Sequence, residues 1–368
     1  MENFKHPSKM NSEHGSLGFI KAESGKSKKK ILDFSANINP LKYNGLKNLL
    51  LKNIDSVFYY TDTKNKKSTK SIAGYLKVNL ENIIVGNGTS ELIYLIAHTF
   101  NPKSALIPVP TFSEYERAMN AINAKIHFPN LEKDNFKFLA DKAKKFKNDI
   151  LFLCNPNNPT GNLILNREEI YKIFQNFSIV VVDESFMEFT DDEERQTLIH
   201  EVEGKNFIVL RSFSKIFGLP GLRLGCAIGN KNIIEKLNAH LNPWNINSLA
   251  SETISEILNE YNRQTIEKFK KRTREFVDGE KKFMSNKITK IDDVKIYNSV
   301  TNFLLIKIPF NSSVFVQKLF EKNVFVRDCG NFRNLGNNYI RICIRSRKDN
   351  EKFINKFRDV LNELKNLE

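Results

Sequence analysis

Short apolar runs, each halted by a polar or glycine-rich turn, set the rhythm of the first two thirds of this chain. Residues 83–85 end in Gly86-Asn87-Gly88, 105–109 in Pro110, 150–153 in Asn155-Pro156, 179–182 in Asp183, and 207–210 in Arg211-Ser212. Helical or turn segments lie between them, clearest where Leu92, Ile93, Leu95, Ile96 and Phe100 keep one face apolar. Continuous rather than alternating apolar runs predict strands covered on both faces, hence a mostly parallel sheet flanked by helices. Residues 31–34 predict a further short strand ahead of a turn at Pro40. The last third changes character. Residues 248–290 carry long charged helical patterns, and 294–297, 302–308, 324–327 and 339–344 read as strands, with a helix between and one at the end. The expected fold class is α/β: an N-terminal arm (1–45), a large domain around the parallel sheet (46–247) and a smaller α+β domain (248–368).

In parallel sheets, ligands bind just beyond the carboxyl ends of the strands. A polar cluster follows every one of the five runs, at 86–91, 110–115, 155–161, 183–186 and 212–215. Ser212-Phe213-Ser214-Lys215 puts a lysine among hydroxyls, and Arg223 follows amid glycines. Such a lysine suits an imine with an aldehyde cofactor, while the hydroxyls and arginine suit a phosphate. Gly88 and Thr89 open a predicted helix, whose first N–H groups attract anions. Asp183 ends a buried strand, where a carboxylate needs a partner such as a pyridinium N–H. Glu184, one residue on, points the other way if strand geometry persists. The turn-rich 155–161 segment offers an Asn to a ring hydroxyl, and Phe112 or Tyr115 offers an aromatic face. Arg341 and Arg345, four residues apart and hence two pleat repeats, are expected to share a strand face, and arginine forks suit carboxylates and phosphates. Taken singly, each cluster also reads as an ordinary turn, cap or core aromatic; five in one relation to the strands do not.

Composition alters this picture little. The chain has 368 residues, 40% hydrophobic, with a formal charge of +15. The excess is spread over lysine clusters at 26–30, 64–70, 142–147 and 268–282, which read as loops or solvated helix faces. No nucleic-acid partner is expected, although a positive surface draws in anionic substrates. Cys154, Cys226, Cys329 and Cys343 form no C-x-x-C pair and His is scarce, so no metal site is expected. No signal peptide and no apolar stretch of about 20 residues is present, which points to a soluble cytoplasmic protein without a membrane partner.

The ordered motifs G-N-G-T-S-E (86–91), P-T-F-S-E-Y (110–115), N-P-N-N-P-T-G (155–161), V-V-D-E-S-F (181–186), S-F-S-K (212–215) and G-L-R-L-G (221–225) resemble the fold-type I pyridoxal-phosphate enzymes of the aminotransferase class I/II group, over nearly the whole chain. Within the group, His14-Gly15, L-D-F-S-A-N-I-N-P-L (32–41), P-W-N-I-N (243–247) and V-R-D-C (326–329) are most similar to the threonine-phosphate decarboxylases of cobalamin synthesis; histidinol-phosphate aminotransferases are the rival branch. The resemblance implies a seven-stranded-type sheet, bound pyridoxal 5'-phosphate, a small phosphorylated amino-acid substrate and a homodimer with a shared active site. It implies that Lys215 carries the cofactor as an imine, that Asp183 pairs with the pyridine nitrogen and Asn158 with the ring hydroxyl, and that Phe112 stacks on the ring. Gly88, Thr89, Ser212, Ser214 and Arg223 would hold the cofactor phosphate, with Tyr60 contributed across the dimer. His14, Gly15, Asn37 and Arg327 would bind the substrate phosphate, and Arg341 with Asn158 its carboxylate. The implied reaction is decarboxylation of L-threonine O-3-phosphate, with amino transfer to 2-oxoglutarate as the alternative. Two positions depart from the pattern: Ser16 stands where a second glycine is common, and Phe186 where many aminotransferases have a tyrosine.

Overall fold

The apolar runs become strands whose side chains leave water on both faces. In the computed structural model, which describes residues 31–146 and 148–367, Val180, Val181 and Val182 are all fully buried. They alternate between two cores: Val180 and Val182 pack with Phe186, Phe213 and Phe217, and Val181 with Leu92, Ile96 and Tyr115. The chain begins with β1 (Leu32–Asp33). The main sheet follows, from β2 (Ile83–Gly86), β3 (Ser104–Leu106), β4 (Lys125–His127), β5 (Asn148–Cys154), β6 (Phe177–Asp183), β7 (Phe207–Ser212) and β8 (Gly225–Gly229). Its order is β2-β8-β7-β6-β5-β3-β4. Only β8 runs against its neighbours, so the other six strands present their carboxyl ends along one edge. A second sheet contains β9 (Lys295–Ile296), β10 (Phe303–Lys307), β12 (Arg327–Asp328) and β13 (Tyr339–Cys343), in the order β12-β13-β10-β9 and antiparallel throughout. Between β10 and β12 in the chain, β11 (Val324–Phe325) pairs in parallel with β1.

The small sheet is covered by the helices Ser312–Glu321 and Arg347–Lys365 through Phe315, Phe353 and Phe357. The long helix Arg263–Ile288 joins the cores: Ile266 and Phe269 pack with the large sheet, and Val277, Met284 and Ile288 with the small one. The helix Ser248–Ile257 also packs with the large sheet, through Ala250, Ile254 and Ile257, which puts the seam between the cores C-terminal to residue 247.

Some elements differ from expectation. The edge strand β4 carries only exposed or half-buried residues, and β8 is the short run Cys226-Ala227-Ile228 closed by a glycine at each end. The run 105–109 ends as a strand at Leu106, with Val109 in a single bridge to Asn130. The segment 324–327 splits between two sheets at Val326. Arg345 does not share a strand face with Arg341: β13 stops at Cys343, and the Arg345 backbone exchanges hydrogen bonds with the Asn350 side chain ahead of the last helix. All four cysteines are buried and unbridged. Among the described residues, no helix is long and apolar enough to cross a membrane.

Candidate active site

The carboxyl edge of the main sheet gathers the candidate residues because β6 and β7 are parallel and in register, Asp183 lying opposite Leu210. The chain turns directly from β7 into a short helix, Phe213–Ile216, that carries Lys215. Asn39 fastens this turn: its N–H donates to the Lys215 carbonyl at 3.2 Å, and its side chain donates to the Ile216 carbonyl at 2.7 Å. The Lys215 ammonium lies 5.6 Å from the Phe186 ring centroid. Burial lowers its pKa to about 8, Arg341 and Arg223 add to the shift, and Asp183 opposes it.

Asp183 is buried, which pushes its carboxyl pKa up. Hydrogen bonds oppose that shift and favour the anion: Ser185 N–H donates to Oδ1 at 2.9 Å and the Tyr115 hydroxyl to Oδ2 at 2.8 Å. Tyr115 is fully buried and stacks on Phe152 at 5.2 Å; the half-buried Phe112 meets it edge-on at 5.7 Å. The asparagines of 155–161 are likewise separated. Asn155 is occupied with Ile164 and Leu165, and Asn157 with Thr111, Pro110 and Thr160. Asn158 alone of the three accepts a hydrogen bond from Arg341.

Gly86, Gly225 and Ser212 lie side by side across β2, β8 and β7, which brings the Ser212–Ser214 turn to the N-terminus of the helix Gly88–Phe100. Gly88 has φ +81°, and a Cβ there would fall 2.4 Å from Arg223 Nη2. The guanidinium thus crosses the helix N-terminus beside Thr89, at a point only glycine leaves open. Gly225 is also closely approached, since its Cβ would lie 2.9 Å from the Thr89 nitrogen. Backbone donors, two serines and an arginine at one helix start fit a phosphate. Tyr60 stands apart, 83% exposed, with its ring 4.9 Å from Trp244.

On the small sheet, Arg327 lies opposite Arg341 in the β12–β13 ladder, and both are buried. Arg341 hydrogen-bonds two neutral acceptors, Asn158 Oδ1 and the Ser35 carbonyl (2.9 Å), and its buried Nε has no partner among the described residues. Burial lowers its pKa to about 10, with Arg327 adding to the shift, so it stays charged at neutral pH. Arg327 donates to Asn331 Oδ1 at 2.9 Å and to the Asp328 carbonyl. The buried Oδ1 of Asn37 also lacks a partner among the described residues. A cavity of about 660 Å³ opens between Phe112 and Arg327 and is bounded by Phe332 and the Arg333–Glu116 ion pair. His14 and Gly15 lie outside the described residues.

Sequence reasoning overlooked Asn39 as the strap on the lysine turn and Tyr115 as the donor to Asp183. The second asparagine of 32–41 was the available signal for the first; nothing local signals the second.

The family model for aminotransferase class I and II matches residues 29–357. A relative from Caldanaerobacter subterraneus subsp. tengcongensis, provisionally named a threonine-phosphate decarboxylase, is 36% identical over 339 residues, covering 89% of this chain and 90% of its own. The histidinol-phosphate aminotransferase of Methanocaldococcus jannaschii is 32% identical over 345 residues, covering 90% and 89%. Among solved structures, L-threonine-O-3-phosphate decarboxylase from Porphyromonas gingivalis superposes with a TM-score of 0.80 at 28% identity, over 90% of this chain and 100% of that one.

Proposed function

Because the chain belongs to the aminotransferase class I and II family, whose members use pyridoxal 5'-phosphate, we propose that it decarboxylates L-threonine O-3-phosphate, giving CO2 and (R)-1-aminopropan-2-yl phosphate. The observation that carries this reading is the buried pair Arg327 and Arg341, cations on adjacent strands at one wall of the site. A small substrate with a carboxylate at one end and a phosphate at the other matches two such cations.

When bound, the cofactor supplies an electron sink beside the substrate Cα. The rest falls to the side chains. Lys215 holds the cofactor and, with a pKa of about 8, can carry a proton to and from Cα near neutral pH. Asp183, whose anionic form the Tyr115 hydroxyl and Ser185 N–H favour, would pair with the ring nitrogen, and Asn158 with the ring hydroxyl. Tyr115 is committed to Asp183 and Phe152, so of the two aromatics we assign the ring face to Phe112. Gly88, Thr89, Ser212, Ser214 and Arg223 hold the cofactor phosphate. Arg341 and Asn158 take the substrate carboxylate; Arg327 and Asn37 take its phosphate. Loss of CO2 leaves electron density on Cα, and protonation there from Lys215 completes the balance.

We further infer a homodimer in which Tyr60 completes the neighbouring site. Val57, Phe58, Tyr59 and Tyr60 form a run more than half exposed, an apolar surface suited to burial against a second copy. Four unbridged cysteines accord with the cytoplasm.

The test is incubation of the purified protein with threonine O-3-phosphate while CO2 is followed. Steady CO2 release supports the reading. No CO2, together with 2-oxoglutarate-dependent turnover of histidinol phosphate, overturns it in favour of the aminotransferase.

A further inference from the structure

Asp183 and Ser212 each have a charged neighbour facing the opposite side of the sheet, and those two neighbours are paired. Glu184 and Arg211, 1% and 2% exposed, form an ion pair at 3.0 Å. Strand alternation explains the placement: Leu210 and Asp183 face the core that holds Tyr115, so Arg211 and Glu184 face the other. The Thr197 hydroxyl joins the pair, donating to Glu184 Oε2 at 2.7 Å and accepting from Arg211 Nη2 at 2.9 Å. Leu198 N–H donates to Glu184 Oε1 at 2.8 Å. Arg211 also binds Glu193 at 3.0 Å, and Glu193 binds Lys270 of the long helix at 2.8 Å. Lys270 is buried too, 3.8 Å from Glu188, which accepts from the Tyr75 hydroxyl at 2.7 Å.

Three features argue that this network does more than fill the core. First, a buried ion pair is no more stabilising in general than the apolar residues that could replace it; what it adds is a fixed geometry. Second, the paired Cα ladder of β6 and β7 ends at Asp183 opposite Leu210, after which one chain enters the 3-10 turn Met187–Phe189 and the other the Lys215 turn. The Glu184–Arg211 pair is the side-chain link between the two chains where that ladder stops. Third, Lys270 ties this link to the helix that joins the two cores.

We propose that Glu184, Arg211, Glu193 and Lys270 are positioning residues that hold Asp183 and Lys215 at the separation the cofactor requires. This rests on the reading of Lys215 and Asp183 as the cofactor's covalent and ring-nitrogen partners. None of the four is among the residues assigned to the cofactor. They act from behind the sheet by fixing where two strand ends stop, and Thr197, which bonds both members of the central pair, keeps that pair in one arrangement.

The experiment compares wild type with Glu184→Gln/Arg211→Met, which removes both charges of the central pair and leaves Glu193 its Lys270 partner, and with Thr197→Val, which keeps the pair but deletes its shared hydroxyl. Three quantities are read: the apoprotein melting temperature, the dissociation constant for added pyridoxal 5'-phosphate, and the pH midpoint of the visible absorbance of the loaded protein. The expected result is cofactor binding weakened about fivefold or more in the double variant, and a midpoint moved by about half a pH unit or more. Thr197→Val moves both the same way by less. Melting temperatures that fall while binding and midpoint match wild type overturn the proposal, because that is what a purely structural network predicts. Should the double variant fail to fold, Thr197→Val decides on the same readouts. A wild type without a visible band that Lys215→Ala abolishes refutes the site reading itself, and is distinguishable from a network that leaves an intact band unmoved.

Discussion

In the proposed site Lys215 would have to be neutral to attack the cofactor aldehyde, so its proton affinity would set the rate at which apoprotein captures the cofactor. With a pKa of about 8 in place of 10.5, about a quarter of the side chains are neutral at pH 7.5, against about one in a thousand for an ordinary lysine. The environment thus gives about a two-hundredfold advantage in reactive amine. Burial is the first cause, Arg341 and Arg223 assist, and Asp183 opposes. Substitutions should therefore move the midpoint in opposite directions. Arg341→Met removes a neighbouring cation, so the midpoint rises, and each unit of rise slows capture at pH 7.5 about eightfold. Asp183→Asn removes an anion, so the midpoint falls. The assay is stopped-flow absorbance after mixing apoprotein with pyridoxal 5'-phosphate from pH 6.5 to 10, and comparison among variants cancels the cofactor's own ionisations. The same shift has a stability sign. Between pH 8 and 10.5 the unfolded state holds a proton that folded Lys215 has lost, so Lys215 opposes folding fully below pH 8 and progressively less up to 10.5. Lys215→Met should accordingly stabilise the apoprotein at pH 7.5, with the gain shrinking as pH rises. Capture midpoints that coincide in wild type, Arg341→Met and Asp183→Asn refute the reasoning that these charges tune the lysine.

Two further outcomes follow from the proposed substrate and the proposed dimer. Arg327→Met should raise KM for threonine O-3-phosphate about 10- to 100-fold, the scale of a lost charge-assisted hydrogen bond; equal effects on phosphorylated and unphosphorylated threonine, measured side by side, would remove Arg327 from the phosphate site. Light scattering should give twice the chain mass, and mixing Lys215→Ala with Tyr60→Ala should restore about a quarter of wild-type activity, because half the dimers are mixed and each of those holds one intact site; no recovery, after exchange of subunits is verified, refutes the shared site.

The large sheet and its ligand edge were legible because a parallel strand is apolar along its whole length and its ligand residues come immediately after it. That rule depends only on neighbours in sequence, and it singled out Gly88, Asp183 and Lys215 as candidates, which the structure gathers at one edge of the sheet. The edge strand β4 and the glycine-bounded β8 escaped because β4 has no buried residue and the apolar part of β8, Cys226-Ala227-Ile228, is closed by glycine at both ends. Tyr115 bonding Asp183 and Asn39 strapping Ile216 escaped for a different reason: they join residues 68 and 177 positions apart, and no local pattern records a pairing through space. Arg211 and Glu184 did leave a trace, a charge at the end of each of two buried runs, and a buried charge requires a partner.

The expectation that failed most plainly bears directly on the proposed chemistry. Residues 324–327 read as one strand, yet the chain breaks at Val326 and gives Val324 and Phe325 to β1, and Arg327 and Asp328 to β13. Each half has a consequence. The first half, by pairing with Leu32 and Asp33, anchors the segment that runs on to Ser35, whose carbonyl accepts from Arg341, and to Asn39, which straps the lysine turn. The second half sets Arg327 opposite Arg341, so that two cations that repel one another are held together by the ladder beneath them. A continuous strand could not do both, since its four residues would pair within a single sheet. Like charges side by side in a buried wall repel, and the proposed substrate, with two negative groups, would bring opposite charge to both. In the proposed reading the lysine end of the site would serve the cofactor, and the broken strand the substrate.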